Sequence, residues 1–445
     1  MIGISKKQPL KRSQIGLEVE VFTLDHAGNV VDKADALIKK VSPADKSIFI
    51  KKECAHNMVE MGSFPSTQIP NSIANLLKNM ESVLLHAEKL DLHLYPLGTY
   101  PGKFTPKMRG DTIYRIKESI FGKKRFEIAG RCIGFHYHYA LPWGVFDARN
   151  LSLKQLIQSK NKQSLVNSYN LLIAMDPILT TFMQSSPFYQ GKQMGKDSRE
   201  IMYRGGKALR CPEGLYANFT PFGGLQAYKY TGTDLIHYIT NKYRIWRKTL
   251  KNLGINLKVL GLYGSILDTT WNPVKVNANG TLEQRGMDMN HPSLILGIST
   301  VMKSILQKVQ QDFIQVLPSD IGMKEPFKLE KNTIYIPPDS YVRTTMQRNA
   351  AYRGLESRSV YIYCKRLLKL VHSLTSAQER KFLRPFDTMI KDRMTLSDHI
   401  LAQAAKRGYK EGDLPQQVAA DIALSHARRL YKDIVVTRKM VENAG

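Results

Sequence analysis

Alternation of apolar and polar residues predicts β-strands at several places along the chain. The clearest is Ile15–Leu24, where Leu17, Val19 and Val21 alternate with Glu18 and Glu20. Shorter segments have the same character, and they are 47–51, 57–61, 92–98, 133–141, 257–262 and 281–288.

Helical spacing of apolar residues marks the segments between and after these strands. The predicted helices are 73–90, 234–253, 293–316, 367–374 and 397–407. Asn71 and Ser72 are the N-cap candidates of the first helix. Strands and helices follow one another irregularly, without a steady βα repeat. We therefore expect an α+β fold, with a mainly antiparallel sheet and flanking helices.

Composition places the chain among folded proteins, because 43% of its 445 residues are hydrophobic and 23% are charged. The four cysteines are scattered, which argues against a disulfide framework or a four-thiolate zinc site and favours a reducing, cytoplasmic setting. The sequence has no run of about 18 apolar residues that would indicate a membrane span. The net charge of +27 would attract polyanions. Because the basic residues are spread along the chain, a solvated basic surface is favoured over a nucleic-acid site.

Several well-known catalytic motifs are missing. The segments 98–105 (GTYPGKFT) and 191–198 (GKQMGKDS) look like P-loops, but each is one residue short between its glycines and lacks Ser or Thr after the lysine. The sequence also lacks the G-x-G-x-x-G, H-E-x-x-H and G-x-S-x-G patterns. A Rossmann enzyme, a zincin and an α/β-hydrolase are therefore not expected.

Acidic residues on predicted strands are the first candidate chemistry. Glu18 and Glu20 share one face of their strand, since alternate residues point the same way. Glu53 and Glu60 form a second pair around the next strand. An exposed sheet face would explain Glu18 and Glu20 about as well as a site would.

Two later strands add histidine and arginine. His136 and His138 lie two residues apart within GFHYHYALP, an arrangement that suits metal or phosphate contacts, although a single buried histidine is more often structural. Glu283 and Arg285 share a strand face within TLEQRGMD. That pair could hold a metal and a phosphate together, or form a surface ion pair.

Taken in order, these segments resemble the glutamate–cysteine ligase superfamily. The resemblance also rests on LGTYP, on the SSPFYQG segment running to Ser198-Arg199, and on NAAYRGLE, and it spans residues 15–360 or so. It implies a catalytic domain over residues 1–360 with a curved antiparallel sheet similar to that of glutamine synthetase. Residues 361–445 are then expected to form a basic helical extension packed on it.

The resemblance also implies cofactors and residue roles. It implies ATP with two or three Mg²⁺ or Mn²⁺ ions, and carboxylates gathered on one sheet face could not all stay ionised without such cations. The implied metal ligands are Glu18, Glu20, Glu53, Glu60, His136 and Glu283. His138 would contact nucleotide or phosphate, Arg285 the transferred phosphoryl group, and Arg199 a substrate carboxylate or phosphate.

The reaction implied is ATP-dependent joining of a carboxylate, usually the glutamate side chain, to an amine such as cysteine. Tyr100 and Glu53 stand where relatives often carry His and Asp, so the two substrates are left open. The expected partners are small molecules, with no specific nucleic acid and no membrane, and a homodimer is left open. The alternatives are a phosphoguanidino-type kinase of the same superfold and a basic polyanion-binding protein with a vestigial site.

Overall fold

An antiparallel sheet of seven strands forms the centre of the molecule in the computed structural model, which describes residues 13–42, 48–155 and 159–443. Its strands run in the order β10-β11-β5-β1-β3-β2, and β4 pairs with the end of β1. They are β1 (Ile15–Leu24), β2 (Ile50–Lys52), β3 (Met58–Gly62), β4 (His93–Tyr95), β5 (Gly134–Ala140), β10 (Val274–Asn277) and β11 (Thr281–Asp288). Every pairing in this sheet is antiparallel, so the predicted α+β class is confirmed. Ser47, where one predicted strand begins, lies outside the described residues.

Seven further strands form small peripheral ribbons. Two of these ribbons are hairpins. The third has three strands, and its central strand has one parallel and one antiparallel neighbour. These strands are β6 (Phe146–Asp147), β7 (Ser152–Leu153), β8 (Phe188–Tyr189), β9 (Lys192–Gln193), β12 (Gln315–Pro318), β13 (Leu329–Glu330) and β14 (Thr333–Ile336).

Helices surround the central sheet. They are α1 (Ala34–Val41), α2 (Ile69–Glu88), α3 (Thr112–Phe121), α4 (Lys123–Phe126), α5 (Lys160–Met183), α6 (Ser198–Arg204), α7 (Gly206–Leu209), α8 (Thr220–Gly223), α9 (Gly232–Asn252), α10 (Pro292–Gln311), α11 (Asp339–Tyr341), α12 (Gln347–Arg353), α13 (Arg358–Leu374), α14 (Ala377–Asp392), α15 (Leu396–Lys406) and α16 (Gln416–Glu442). Helices α2, α5, α10 and α16 pack on strands of the central sheet. None of the described helices combines the length and the apolar character that a membrane span requires.

Helix α5 is buried on all sides rather than along one stripe. Every residue from Ser164 to Met183 is buried, including the polar Asn167 and Asn170 and the acidic Asp176. Their side chains have partners: Asn167 donates to the carbonyl of Ile314 at 2.9 Å, for example. A central helix can carry polar residues at this depth only because they are hydrogen-bonded.

Several sequence predictions differ from the structure in the type or the bounds of the element, and helix α13 begins at Arg358 rather than at residue 367. Segment 257–262 is a 3₁₀ helix instead of a strand, because the Asn256 side chain caps it by accepting from the Lys258 amide at 3.0 Å. The helix predicted for 293–316 ends at Gln311, since Phe313 takes a left-handed φ of 52° and the chain continues as β12. Helix α2 begins at Ile69, ahead of the predicted caps, because Pro70 suits a first helical turn.

The C-terminal helices pack against the part of the molecule that carries the sheet. Helices α13 and α14 contact α10, while α16 contacts α2, α10 and β4. His426 of α16 and His291, just before α10, meet in this interface with 3.2 Å between Nδ1 and Nε2. The division into a catalytic domain and an extension at residue 360 stays a prediction.

Candidate active site

The strand register of the sheet brings the predicted polar residues together. Glu18 lies directly opposite His136, and Glu20 lies opposite Glu60. On the next strand, His138 lies opposite Glu283. Directly opposed residues of antiparallel strands share one face, so the alternation predicted from the sequence gives a continuous polar face.

Two lysines extend this face at its edges. Lys51 of β2 is the direct partner of Glu60, and its Nζ lies 2.5 Å from Glu60 Oε1. Lys275 of β10 is the partner of Glu283, and its Nζ lies 3.9 Å from Glu283 Oε2. Each lysine offsets part of the negative charge of the face.

A cavity of about 510 Å³ opens on this polar face, and we call it the central cavity. Of the predicted site residues, all but His138 line it. Those lining residues are Glu18, Glu20, Glu53, Glu60, His136, Arg199, Glu283 and Arg285. The remaining wall is partly aromatic and partly cationic, with Tyr114, Lys117, Tyr203, Tyr216 and Trp271 among its side chains.

The six predicted metal ligands fall into two groups of three. Glu20, Glu53 and Glu60 form what we call the tricarboxylate cluster, and Glu18, His136 and Glu283 form the histidine cluster. Within each cluster, one ligand atom from every residue lies within 4.8 Å of the others.

Electrostatics differ between the two clusters. Burial, followed by the charges of Glu18 and Glu53, raises the pKa of Glu60 well above its usual range. Burial also raises the pKa of Glu20, and Glu53 adds to that effect. The tricarboxylate cluster is therefore short of positive charge.

In the histidine cluster, nearby positive charges lower the carboxylate pKa values more than burial raises them. Burial by itself would raise the pKa of Glu18, but the charge of His138 and hydrogen bonds from both histidines hold it well below its usual range. Burial would also raise the pKa of Glu283, but the charges of Arg285 and Lys275 have the larger effect and lower it. The two carboxylates of this cluster therefore favour the ionised form even before any cation binds.

Both clusters fit the metals that the resemblance implies. Carboxylate oxygens with a single imidazole suit Mg²⁺ or Mn²⁺, whereas a soft metal would favour thiolates. Cys54 also lines the central cavity, but burial raises the pKa of its thiol far above the physiological range, so it offers no thiolate.

His138 lies behind the ligands rather than on the cavity wall. Its Nδ1 is 2.9 Å from Thr281 Oγ1, and its Nε2 is 3.5 Å from Glu18 Oε2. The ring therefore lies against Glu18, and its contact with nucleotide or phosphate stays a prediction.

Arg285 is held beside Glu283. Its Nη1 donates to Glu283 Oε1 at 3.1 Å, and Asn277 donates to the other carboxylate oxygen of Glu283 at 2.5 Å. A register shift between Gln284 and Met287 marks a bulge in β11 at this point. A bulge changes where a side chain points, and here Arg285 still lines the central cavity.

Arg199 comes from helix α6, which is fixed at both ends. The Asp197 carboxylate caps the helix by accepting from the Glu200 amide at 2.7 Å, and Arg204 donates to buried Asp176 at 2.6 Å. Arg199 itself donates to the carbonyls of Gly286 and Arg285, at 3.1 Å and 3.3 Å. Its Nε has no protein partner among the described residues.

Sequence reasoning missed the lysines and the aromatic wall. Lys275 and Asn277 could have been found, since β10 and β11 form a hairpin and alternation puts both on the face of Glu283. Lys117 and Tyr114 lie on α3, a helix that we did not predict. Trp271 precedes β10 in a loop, and no sequence pattern marks it.

Comparison with known families gives a match over the first half of the chain. Residues 14–222 match the glutamate–cysteine ligase family 2 model (GCS2). Glu18, Glu20, Glu53, Glu60, His136 and Arg199 lie inside that segment. Glu283 and Arg285 lie beyond that segment, and it is the strand pairing of the fold that brings them close to the other site residues. A search of curated proteins found no match to the sequence.

Solved structures share the fold at low sequence identity. A glutamate–cysteine ligase from Francisella tularensis in complex with AMP has a TM-score of 0.60 and 13% identity, covering 98% of this chain and 94% of that one. A bifunctional glutathione synthetase from Pasteurella multocida has a TM-score of 0.59 and 14% identity, covering 94% of this chain. The present chain spans about half the length of that enzyme, 52%. The resemblance to the glutamate–cysteine ligase superfamily predicted from the motifs is thus confirmed over residues 14–222.

Proposed function

We propose that this protein joins the side-chain carboxylate of glutamate, or a close analogue, to an amine such as cysteine at the expense of ATP. The observation that carries the proposal is the convergence of two three-ligand clusters and two arginines on one cavity. Six candidate ligands retained together argue against a vestigial site, since loss of function removes the need for such costly buried charge.

The chemistry requires activation of the carboxylate, because carboxylates do not react with amines at neutral pH. In the first step, a carboxylate oxygen of the donor attacks the γ-phosphorus of ATP, and ADP leaves. In the second, the amine nitrogen attacks the carbonyl carbon of the acyl phosphate, inorganic phosphate leaves, and the nitrogen loses a proton. The products are an amide, ADP and phosphate.

The cavity residues divide this work between them. The two clusters would hold divalent cations, which supply charge neutralisation for the triphosphate. Arg285 reaches the cavity from β11 and presents a planar fork of donors that can pair two phosphoryl oxygens. Glu283, which itself accepts from Asn277, fixes the position of that guanidinium before substrate arrives.

Arg199 is our candidate for binding a carboxylate of the donor substrate. Two of its N–H groups donate to backbone carbonyls, and no residue that the structure describes accepts from its Nε. A substrate carboxylate is the natural acceptor for such a buried, half-satisfied guanidinium.

A substrate screen tests the proposal. ADP and phosphate release are measured with Mg²⁺, ATP and glutamate across a panel of amino acids and simple amines, and the product is identified by mass spectrometry. We expect equal amounts of ADP and phosphate, with an amide product. Release of ADP with a phosphoramidate and no free phosphate would instead establish the kinase. Absence of ATP turnover with every pair, together with tight binding of polyanions at physiological salt, would favour the binding protein.

We also propose a cytoplasmic location, supported by the four cysteines, all of which are unpaired and buried. The homodimer and the absence of specific nucleic-acid or membrane partners stay predictions.

A further inference from the structure

Lys117 is a cation of the central cavity that the mechanism above does not use. It lies on α3, with its Nζ 4.4 Å from the centre of the Trp271 ring and 5.5 Å from that of Tyr114. Both rings line the same cavity, and Trp271 is 9% exposed. The ammonium group therefore faces into an aromatic end of the cavity.

No described residue gives Lys117 an ion pair or a hydrogen bond. The other cavity cations each have a partner: Lys51 contacts Glu60, while Lys275 and Arg285 contact Glu283. Arg199 is held by two backbone carbonyls. Among the described cavity cations, Lys117 is left to be satisfied from outside the protein.

The surroundings of Lys117 make its charge costly. Burial lowers the pKa of Lys117 to about 8, with Glu53 and Cys54 opposing the shift and Arg285 and Lys275 adding to it. Cation–π contacts with Trp271 and Tyr114 only partly offset the desolvation of this half-buried ammonium group, which has no counter-ion among the described residues. Such a group is more readily explained by a ligand than by stability.

We propose that Lys117 binds a carboxylate of an amino-acid substrate, so that the ligase selects an amino acid over the corresponding amine without that carboxylate. This inference rests on the proposed ligase function. The ammonium would pair with the carboxylate, while Trp271, Tyr114 and Tyr216 contact the apolar part of the same substrate. The carboxylate could belong to the acceptor or be the α-carboxylate of the donor, and the chemistry is the same in both cases.

The specificity follows from charge complementarity. An amine that lacks the carboxylate would leave the half-buried Lys117 without a counter-ion in the complex, so the site would reject it more strongly than a lost contact on an exposed surface would allow. The same argument predicts that removing the lysine removes the discrimination.

Matched substrate pairs test this inference with the Mg²⁺-loaded full chain. Cysteine is compared with cysteamine and alanine with ethylamine as acceptors, and glutamate is compared with 4-aminobutyrate as donor. The variant is Lys117→Met, which keeps the length of the side chain without its charge. Lys123→Met, an exposed lysine at the start of α4, is the control for the loss of one positive charge.

We expect Lys117→Met to lower kcat/KM about tenfold or more for the substrate whose carboxylate it binds, which corresponds to about 1.4 kcal/mol. The value for the matched compound without that carboxylate should change less than about threefold, or about 0.7 kcal/mol. An effect confined to the acceptor pairs assigns the carboxylate to the acceptor, and an effect confined to glutamate assigns it to the donor. Equal kcat/KM values for Lys117→Met and Lys123→Met with every substrate would overturn the inference.

A binding measurement separates this inference from the proposed function. Calorimetric titration of the same compounds into parent and Lys117→Met requires no turnover. If the parent binds glutamate or cysteine tighter than its decarboxylated partner, and Lys117→Met does not, the inference holds even if no amide forms. If parent and variant bind all compounds alike, the inference fails even where ligase activity is found.

Discussion

Lys51 Nζ lies 2.5 Å from Glu60 Oε1, across a directly opposed pair of β2 and β3. Glu60 is almost fully buried, with 3% of its side chain exposed, whereas 47% of the Lys51 side chain is exposed. Lys51 is thus a counter-ion for the tricarboxylate cluster, and because nearly half of its side chain is exposed we expect it to move into solvent when a divalent cation binds there.

Lys51→Met should make the protein more dependent on divalent cations for its stability. In EDTA we expect the free energy of unfolding to fall by about 1–3 kcal/mol, because a buried carboxylate loses its partner. Added Mg²⁺ should recover most of that loss. Denaturant unfolding with EDTA and with Mg²⁺ measures both quantities.

Lys52→Met is the matched control for this prediction. Lys52 is the neighbouring exposed lysine and contacts Asp35 outside the cavity at 3.8 Å. A metal-dependent gain in stability as large in Lys52→Met as in Lys51→Met would show that Lys51 has no special relation to the cluster.

Glu20→Gln and Glu283→Gln should each lower ATP turnover by about 10²-fold or more, because each removes one ligand from a different cluster. Folding should remain cooperative, since the amide has nearly the shape of the carboxylate. Turnover and thermal unfolding are measured on both variants, with exposed Glu411→Gln as the control. Near-parental turnover in either variant would remove that residue from the metal assignment.

Arg285→Lys tests the assignment of the phosphoryl group. Lysine keeps the charge but loses the planar fork, so kcat should fall by about 10²-fold or more, with a smaller effect on ATP binding. The alternative is that Arg285 only pairs with Glu283, and lysine at this position would then keep the ion pair and leave turnover near normal. Steady-state kinetics decides, and a kcat within about threefold of the parent, or about 0.7 kcal/mol, would mean that this arginine is not catalytic.

The buried pair His291 and His426 should make the protein sensitive to acid. Burial, with the charges of Arg429 and Arg407, lowers the pKa of His426 to about 3, and burial also lowers the pKa of His291. The unfolded chain, with a histidine pKa of about 6.5, takes up protons that the folded protein does not. Stability is therefore fully present above about pH 6.5 and is lost as the pH falls from there towards 3.

His426→Gln should lessen this loss of stability. Between pH 7.5 and 5.0 the free energy of unfolding should fall by about 2 kcal/mol less in the variant than in the parent, as one titrating group has been removed. Denaturant unfolding at both pH values checks this, and exposed His237→Gln is the control. The same pH dependence in His426→Gln and in the parent would show that the pair does not govern acid stability.

The strands that carry the candidate site could be predicted because local alternation determines their geometry. β1 has the predicted bounds Ile15–Leu24, and the positions of Glu18 and Glu20 on one face follow from the period of two. His136 and Glu283 were found in the same way. Which strand pairs with which is set by long-range packing, so the approach of Glu60 to Glu20 came from family resemblance and not from periodicity.

The remainder of the site depends on contacts between distant segments. Lys117 reaches the cavity because α3 packs beside the loop that carries Trp271, residues that are more than 150 positions apart. The failure at 257–262 has a similar cause, since an apolar run becomes a strand only where a partner strand offers hydrogen bonds.

Arg199 and Arg285 are connected through the bulge of β11. Arg199 donates to the carbonyl of Arg285, and its guanidinium occupies the space beside Gly134, where an added Cβ would lie 2.3 Å from Nη2. A ligand that shifts the Arg199 guanidinium therefore disturbs its hydrogen bonds to the backbone segment that carries Arg285. Because thermodynamic coupling is reciprocal, we expect the donor carboxylate and ATP to bind with mutual dependence, each changing the affinity for the other by the same factor.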